Sequence, residues 1–585
     1  MAQTKSPALF TRGTAMDFLA LTALWLLAVL IVNPLGDFPL NDDWAMSRSV
    51  KHLVEHGDYL PTGALAMTLI MHVFWGALFC IPHGFSFTAV RISTLVLSLV
   101  GVLGLYVLIR QLDRPRWPAM ICALTLGFNP VYFSLANTFM TDVPFTAWEI
   151  LACLFFVRYL QRQKNPDLWI ATTLAIAALL IRQLGLAIPM AFGVAFLFKH
   201  GFKKHSWFRA SLPAILTAAT LIIFNHWLRA SGRAVGSYNL QLGQMVGKSK
   251  HPLTLPLNFA HYGWVMLMYL GLFLLPIFAT VKFNRQTEQE KSRSAVLVWL
   301  VWLGLLTLTA GHFFLKTALM PVHLNILDSW GLGPLTLCDT YSLRLPDVPL
   351  LPAAFWVVVT VLSLFGAGLL TAIVVKEVTR LASEYRSRNF SAPPADRHLK
   401  NTLAVFFLAG TLIYLGPLLI NGLFDRYLLT AVVLLMAFVV VTLPVIERPP
   451  VSLRYFAGIF LVISFAGYAI AGTRDYLEWN RVRWAALNDL QRENISPGQI
   501  DGGYEFNGWF LYDPNFHGTR HKSGWWVQDD EYILSFGQIA GYEIHREYDY
   551  EHWMPSYVGK ILVLKRTDAE TLKLENSDGE LIKHP

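Results

Sequence analysis

The sequence predicts a polytopic α-helical membrane protein with a small α+β domain at its C-terminal end. Three observations predict this class. Of the 585 residues, 54% are hydrophobic and only 15% are charged, whereas a soluble domain has about 25% charged residues. Apolar runs long enough to cross a bilayer recur through the first four fifths of the chain. Toward the C-terminus, short alternating runs separated by Gly, Asn and Asp indicate strands instead.

We expect about 13 transmembrane helices. Lys and Arg concentrate in alternate loops, and the positive-inside rule places those loops and the N-terminus in the cytoplasm. The odd number of spans then places the C-terminal region outside. We therefore expect a membrane domain over residues 1–472, with a first outer loop at 34–86, and an extracytoplasmic α+β domain over residues 473–585. The expected spans are about 17–33, 87–109, 117–136, 143–160, 168–181, 184–198, 209–228, 261–281, 294–315, 351–375, 401–423, 428–446 and 455–472.

The first outer loop carries an acidic pair, Asp42 and Asp43, at the start of a predicted helix. Met46 and Val50 recur on one face of this helix, so we expect it to lie along the membrane surface with that face in lipid. The acidic pair has two interpretations. As helix caps, the carboxylates would satisfy free backbone N–H groups. As functional groups, they would bind substrate or act as a general base.

A second acidic position, Asp142, precedes Pro144 at the outer end of a later span. Taken alone, this position is also typical of a helix N-terminus. The combination is more informative. Both acidic positions lie at the outer ends of early spans, and neither has a basic neighbour in sequence. This arrangement favours a site for catalysis or substrate binding over two separate helix caps.

Several basic residues fall on the predicted outer side, where the positive-inside rule disfavours them. Ordinary surface charge and contact with lipid headgroups would explain some of them. The functional interpretation is a phosphate-binding site, because Arg binds phosphate oxygens in a bidentate manner. Arg182 and Arg426 are the best placed, since each lies in a short turn between two spans, although Asp425 would be an alternative partner for Arg426. The full candidate set is Arg182, Arg229, Arg233, Arg344 and Arg426.

Other classes of function have weaker support. His52 and His56 are one helical turn apart but lack a third ligand, which favours a surface pair over a zinc site. The chain shows neither a P-loop nor a dinucleotide-binding fingerprint, so nucleotide-driven chemistry is unsupported. A transporter or flippase for a lipid-linked or anionic solute is the alternative, but it predicts charges at mid-span and repeated halves. We predict no cofactor. The sequence leaves open whether a divalent metal binds at the acidic pair.

The layout and three short segments resemble the C-type glycosyltransferases, which have the GT-C fold. Within that group, the chain is similar to the family 39, protein-mannosyltransferase-like enzymes and to the bacterial aminoarabinose transferases. The resemblance implies transfer of a sugar from a polyprenyl-phosphate donor to a glycan, lipid or protein acceptor outside the cytoplasm, at the bacterial inner (plasma) membrane. The segments are Asp42-Asp43-Trp44 through Gly57-Asp58-Tyr59, Thr141-Asp142-Val143-Pro144, and Asp425-Arg426-Tyr427-Leu428-Leu429.

The resemblance also implies roles for individual residues. Asp42 is expected to deprotonate the acceptor hydroxyl, with Asp43 sharing or replacing that role, and Asp142 to orient acceptor or sugar. The arginines are expected to hold the phosphate leaving group. The sequence departs from the aminoarabinose-type enzymes at one point, which bears on the expected substrates. Aminoarabinose-type enzymes carry a Lys-Pro-Pro element later in the first loop, and here residues 62–67 contain no lysine. The sequence therefore does not define the sugar or the acceptor.

Overall fold

The computed structural model describes residues 12–236, 254–282, 288–316, 319–322, 325–345, 348–387, 394–445, 453–516 and 525–567, together with Gly243 and Gly247. The helices are α1 (Arg12–Val32), α2 (Asp43–His56), α3 (Ile70–Cys80), α4 (Phe87–Gln111), α5 (Arg116–Gly127), α6 (Pro130–Ala136), α7 (Asp142–Arg162), α8 (Asn165–Leu179), α9 (Ala187–His200), α10 (Lys204–Ala230), α11 (Thr254–Phe278), α12 (Glu288–Lys316), α13 (Cys338–Tyr341), α14 (Ala353–Ser387), α15 (Ala395–Asn421), α16 (Leu429–Thr442), α17 (Leu453–Arg492) and α18 (Tyr504–Leu511). The strands are β1 (Leu327–Asp328), β2 (Gly331–Leu332), β3 (Ile500–Asp501), β4 (Tyr532–Ser535), β5 (Tyr542–Trp553) and β6 (Ser556–Arg566).

The predicted class, a multi-pass helical membrane protein with a small C-terminal α+β part, is confirmed. Among the described residues, 11 helices are long and apolar enough to cross a membrane, and α5 with α6, bent by 61°, would form a twelfth span. We expected about 13. The difference lies in α8, which has 15 residues. At 1.5 Å per residue it is about 22 Å long, which is shorter than the roughly 30 Å of bilayer hydrocarbon. It nevertheless returns the chain from the end of α7 to Arg182, which pairs with Asp142 at the start of α7, so the alternation of sides is kept.

Helix α2 forms where the sequence predicts it, but protein covers its apolar face. Trp44, Met46 and Val50 are fully buried, and α2 packs against α3 and α18. Gly508 in α18 permits this close packing, since a Cβ there would collide with the Trp44 indole. The expectation that this part of the face lies in lipid is therefore wrong, because neighbouring helices occupy that space.

The loop between α1 and α2 is held by a buried arginine. Arg91, near the start of α4, is only 1% exposed. Its guanidinium donates hydrogen bonds to the backbone carbonyls of Pro34, Gly36 and Phe38 at 2.6, 3.0 and 2.7 Å. Asp43 adds an attractive electrostatic interaction. These contacts fix the path of the chain that leads to the acidic pair.

The C-terminal part begins within an unbroken helix. Helix α17 has 40 residues and crosses the expected boundary at residue 472. The sheet has the order β3-β4-β6-β5. Strands β4 and β5 pair with β6 in antiparallel register, while β3 is parallel to β4. Residues 504–512 are one of the short alternating runs that indicated strands, but residues 504–511 form helix α18, so this prediction is wrong. Periodicity does not separate short buried helices from strands, and here four consecutive buried residues face packed neighbours.

We expect Arg91→Met to destabilise the protein, because the substitution leaves three backbone carbonyl oxygens, one of them fully buried, without their donor. Hydrogen bonds to a charged group contribute about 1.5–3 kcal/mol each, so a loss of at least ~3 kcal/mol is expected. The measurement is the apparent thermal unfolding midpoint in detergent. Arg229→Met, at an exposed position, is the matched control. Equal midpoints for the two variants would contradict the proposed anchoring.

Candidate active site

Asp42 precedes helix α2 and is bound by two distant segments of the chain. Its Oδ1 accepts a hydrogen bond from the Tyr504 hydroxyl at 2.8 Å. Its Oδ2 lies 2.9 Å from Arg426 Nη2, which donates a charged hydrogen bond. The side chain makes no capping hydrogen bond to α2, so the helix-capping interpretation is wrong for Asp42. The carboxylate instead joins three parts of the protein.

The neighbouring Asp43 has a different environment. Its Oδ1 accepts from the backbone N–H of Leu40 at 2.6 Å, and its Oδ2 accepts from that of Phe139 at 3.1 Å. Burial raises the pKa of Asp43 to about 7, although Arg91 and the two backbone N–H groups act in the opposite direction. Both oxygens are thus used to tie the first loop to the chain before Asp142. This geometry favours Asp42 over Asp43 as a base.

Asp142 is the first residue of α7 and forms a second ion pair. Its Oδ1 lies 2.9 Å from Arg182 Nη2, and Arg182 Nε donates to the Thr141 hydroxyl at 2.8 Å. The side chains of Asp142 and Arg182 are only 1% and 6% exposed. The ion pair lacks hydrogen-bond alignment, so neither Asp142 oxygen nor Arg182 Nη2 has a hydrogen-bond partner in the described part of the chain.

The aromatic ring of Tyr427 brings the two arginines together. The guanidinium carbons of Arg182 and Arg426 lie 5.1 and 5.5 Å from its centroid, within the range of cation–π attraction. Asp142 also interacts electrostatically with Arg426. We call Asp42, Asp142, Arg182 and Arg426 the paired-charge cluster. These four residues, all expected from the sequence, meet in the folded protein.

The guanidinium of Arg426 has donors that could bind an anion. Its side chain is 5% exposed, and Nε and Nη1 have no hydrogen-bond partner among the described residues. Unsatisfied buried donors are rare in native proteins. Asp425, the alternative partner for Arg426, does not form that ion pair in the described structure, because its carboxylate accepts hydrogen bonds from backbone N–H groups instead. Arg426 is thereby available to Asp42 and to a ligand.

Three expected arginines lie outside the cluster. Arg229 and Arg344 are exposed. Arg233 Nη2 lies 2.6 Å from an oxygen of Asp58, whose other oxygen is 2.8 Å from His52 Nε2. None of the three contacts the Tyr427 ring or a cluster carboxylate within the residues that the structure describes.

Two places were considered as metal-binding sites, the histidine pair and the acidic pair. The rings of His52 and His56 stack at 4.5 Å, and His52 is bound to Asp58. At the acidic pair, the oxygens of Asp42 and Asp43 are directed to different partners. Over the described ranges, no group of three His, Cys, Asp or Glu side chains could hold a metal ion.

Two site residues in the C-terminal part were not expected from the sequence. Tyr504 binds Asp42 directly. Glu505 accepts from the backbone N–H of Asn41 at 2.9 Å, from the Thr336 hydroxyl at 2.6 Å and from Arg483 Nη2 at 2.8 Å. The one available signal was an acid within the apolar run of residues 504–511, a position that requires a buried partner.

Comparison with known proteins then identifies what the chain is similar to. Residues 56–228 match the family described as "Dolichyl-phosphate-mannose-protein mannosyltransferase". The match covers less than half of the chain and includes Asp142 and Arg182. Over this range it confirms the resemblance to protein-mannosyltransferase-like glycosyltransferases. The comparison with curated proteins gives no match.

Solved structures show distant likenesses. The protein O-mannosyltransferase Pmt1–Pmt2 complex of S. cerevisiae, bound to the sugar donor, is 13% identical, with a TM-score of 0.31, over 39% of this chain and 36% of that one. ArnT from Cupriavidus metallidurans in the apo state is 14% identical, with a TM-score of 0.32, over 84% of each chain. The same enzyme bound to undecaprenyl phosphate is 13% identical, with a TM-score of 0.35, over 96% of this chain and 99% of that one. Scores at this level do not establish a shared fold.

We expect Asp43→Asn and Asp42→Asn to differ in stability. In Asp43→Asn, the amide nitrogen would face a backbone N–H and leave it without an acceptor, which costs about 1–3 kcal/mol. In Asp42→Asn, the partly exposed side chain keeps an oxygen for one of its two partners. The apparent unfolding midpoint should therefore fall clearly for Asp43→Asn and little for Asp42→Asn. The reverse order would contradict the assignment of Asp43 as the more tightly bound carboxylate.

Proposed function

We propose that this protein is a membrane glycosyltransferase that moves a sugar from a polyprenyl-phosphate donor to a hydroxyl-bearing acceptor outside the cytoplasm. The supporting observation is the buried guanidinium of Arg426, whose Nε and Nη1 have no hydrogen-bond partner among the described residues, next to a second buried arginine, Arg182. Such donors suit the oxygens of a phosphate. The family match over residues 56–228 supports the same class of reaction.

The paired-charge cluster supplies the groups that this reaction needs. As the acceptor oxygen attacks the anomeric carbon, Asp42 takes the hydroxyl proton. The bond between the anomeric carbon and the phosphate oxygen breaks, and the polyprenyl phosphate leaves with the bonding electron pair. Arg182 and Arg426 stabilise the negative charge that grows on the leaving phosphate. Asp142, whose Oδ2 has no hydrogen-bond partner among the described residues, orients the sugar hydroxyls.

The location of the cluster fits a lipid-linked donor. Asp142 and Asp425 begin helices that are apolar enough to span a membrane, so the cluster lies at the ends of these spans. A polyprenyl tail would stay in lipid while its phosphate reaches the arginines. Holding both substrates at that depth removes much of the entropic barrier to their reaction.

We further propose the bacterial inner (plasma) membrane as the location, with the N-terminus in the cytoplasm. The distribution of Lys and Arg along the sequence supports this orientation. The C-terminal part, proposed as an extracytoplasmic domain over residues 473–585, lies on the same side as the cluster, because Tyr504 contacts Asp42. We assign Asp43 a positioning role and leave Arg229, Arg233 and Arg344 outside the proposed donor site.

The test begins with a deletion strain. Its lipid extract should accumulate a polyprenyl-phosphate-linked sugar, which mass spectrometry identifies. The purified lipid, carrying a radiolabelled sugar, is then incubated with the purified protein and with cell envelopes from the deletion strain as acceptor. We expect label in the envelope fraction and release of polyprenyl phosphate. Movement of intact donor across vesicles without release would support the transporter alternative and contradict the proposal.

In this assay we expect Asp42→Asn to reduce transfer by about 10²–10⁴-fold, the usual contribution of a general base. The fold should be retained, as judged by gel filtration and the thermal midpoint. Asp58→Asn is the matched control, because Asp58 is an acid of the same loop that pairs with Arg233. Wild-type turnover by Asp42→Asn would exclude Asp42 as the base.

Arg182→Lys and Arg426→Lys test the phosphate site. Lysine keeps the charge but cannot bind two oxygens in the planar, bidentate manner of arginine. We expect the KM for the donor to rise about tenfold or more, as the loss of one charged hydrogen bond implies. Arg426→Lys should also lower kcat, because Arg426 binds Asp42. Arg229→Lys, at an exposed position, should leave both constants unchanged. An unchanged donor KM in both cluster variants would argue for a purely structural role.

A further inference from the structure

We infer that Tyr504, in the C-terminal part of the chain, is a positioning residue that holds the Asp42 carboxylate in one orientation for proton transfer. This inference rests on the proposed function and extends it to a region that lies outside the matched residues 56–228. Tyr504 does not touch the reacting atoms of the substrates in this assignment, and it acts through Asp42.

The two oxygens of Asp42 have separate partners. Tyr504 donates to Oδ1 at 2.8 Å and Arg426 to Oδ2 at 2.9 Å. Each partner arrives from a different element, Tyr504 from α18 and Arg426 from the turn before α16. Two donors on opposite oxygens fix the rotation of the carboxylate about its last single bond. Either one alone would leave that rotation free.

The Tyr504 ring is itself held in place. Its centroid lies 6.0 Å from that of Trp44, 5.3 Å from that of Trp525 and 6.2 Å from that of Trp526. Aromatic pairs at such distances are attractive beyond the burial of their area. The hydroxyl is therefore presented to Asp42 by a ring with little freedom to move.

The backbone on both sides of this hydrogen bond is anchored by Glu505. The carboxylate is fully buried and forms an ion pair with Arg483 at 2.8 Å. Its other oxygen accepts from the backbone N–H of Asn41 at 2.9 Å. Asn41 has a left-handed backbone, with φ of 55°, which asparagine adopts more readily than most residues. Tyr504 thus binds the side chain of Asp42, and Glu505 binds the backbone of Asn41.

The protonation states suit this role. Burial and, second to it, the Asp42 carboxylate raise the pKa of Tyr504 well above its usual value. The hydroxyl consequently keeps its proton and acts as a donor.

Tyr504→Phe tests the inference, because it removes one oxygen atom and keeps the ring. We expect kcat to fall about tenfold, which corresponds to one weakened charged hydrogen bond of about 1.4 kcal/mol, while the donor KM stays unchanged. The assay is sugar transfer from the purified lipid donor to deletion-strain envelopes.

Tyr512→Phe is the matched control. The Tyr512 ring belongs to the same aromatic group, 5.4 Å from Trp44 and 5.1 Å from Trp526, and Asp42 accepts from Tyr504 instead. Its kcat and donor KM should equal those of the wild type. A wild-type kcat in Tyr504→Phe would overturn the inference, as would an equal loss of kcat in both variants. Absence of transfer by the wild-type protein would instead contradict the proposed function, so the two failures are distinguishable.

Discussion

The ion pair between Asp42 and Arg426 imposes the strongest constraint on this site. Removing two charges from water costs several kcal/mol per ion, so such a pair is stable only when the surrounding protein satisfies the remaining donors and acceptors. On the Asp42 side this condition is met, because Tyr504 binds the second oxygen. On the Arg426 side, Nε and Nη1 lack partners in the described structure. This asymmetry leaves the guanidinium with an attraction for a further anion.

The two adjacent aspartates show how environment divides roles between identical side chains. Asp43 is buried, and backbone N–H groups occupy both of its oxygens. Asp42 has a side chain that is 23% exposed and is bound by other side chains. Arg91 anchors the loop that carries both residues. One carboxylate therefore stabilises the loop, and the other is left accessible to substrate.

The sequence predicted best those features that depend on residues close together in the chain. A membrane span must satisfy its own backbone within an apolar segment, and α4, expected at 87–109, extends over Phe87–Gln111. The positions of Asp42, Asp142, Arg182 and Arg426 at the ends of spans also indicated the cluster. Its pairing was not predictable, since Arg426 binds an acid 384 positions away rather than its neighbour Asp425. Tyr504 was missed for the same reason: packing against Trp44, and not local periodicity, determines the helix that presents it.

The separation of 462 positions between Asp42 and Tyr504 has a consequence for biosynthesis. Chains are made at about 5–20 residues per second, so roughly 25–90 seconds pass between synthesis of the two residues. For most of that interval both donors to the Asp42 carboxylate are missing, because Arg426 lies 384 positions after Asp42, and Tyr504 is the last of the two to be made. The complete site is therefore among the last features to assemble, and a nascent chain that stops short of residue 504 cannot form it.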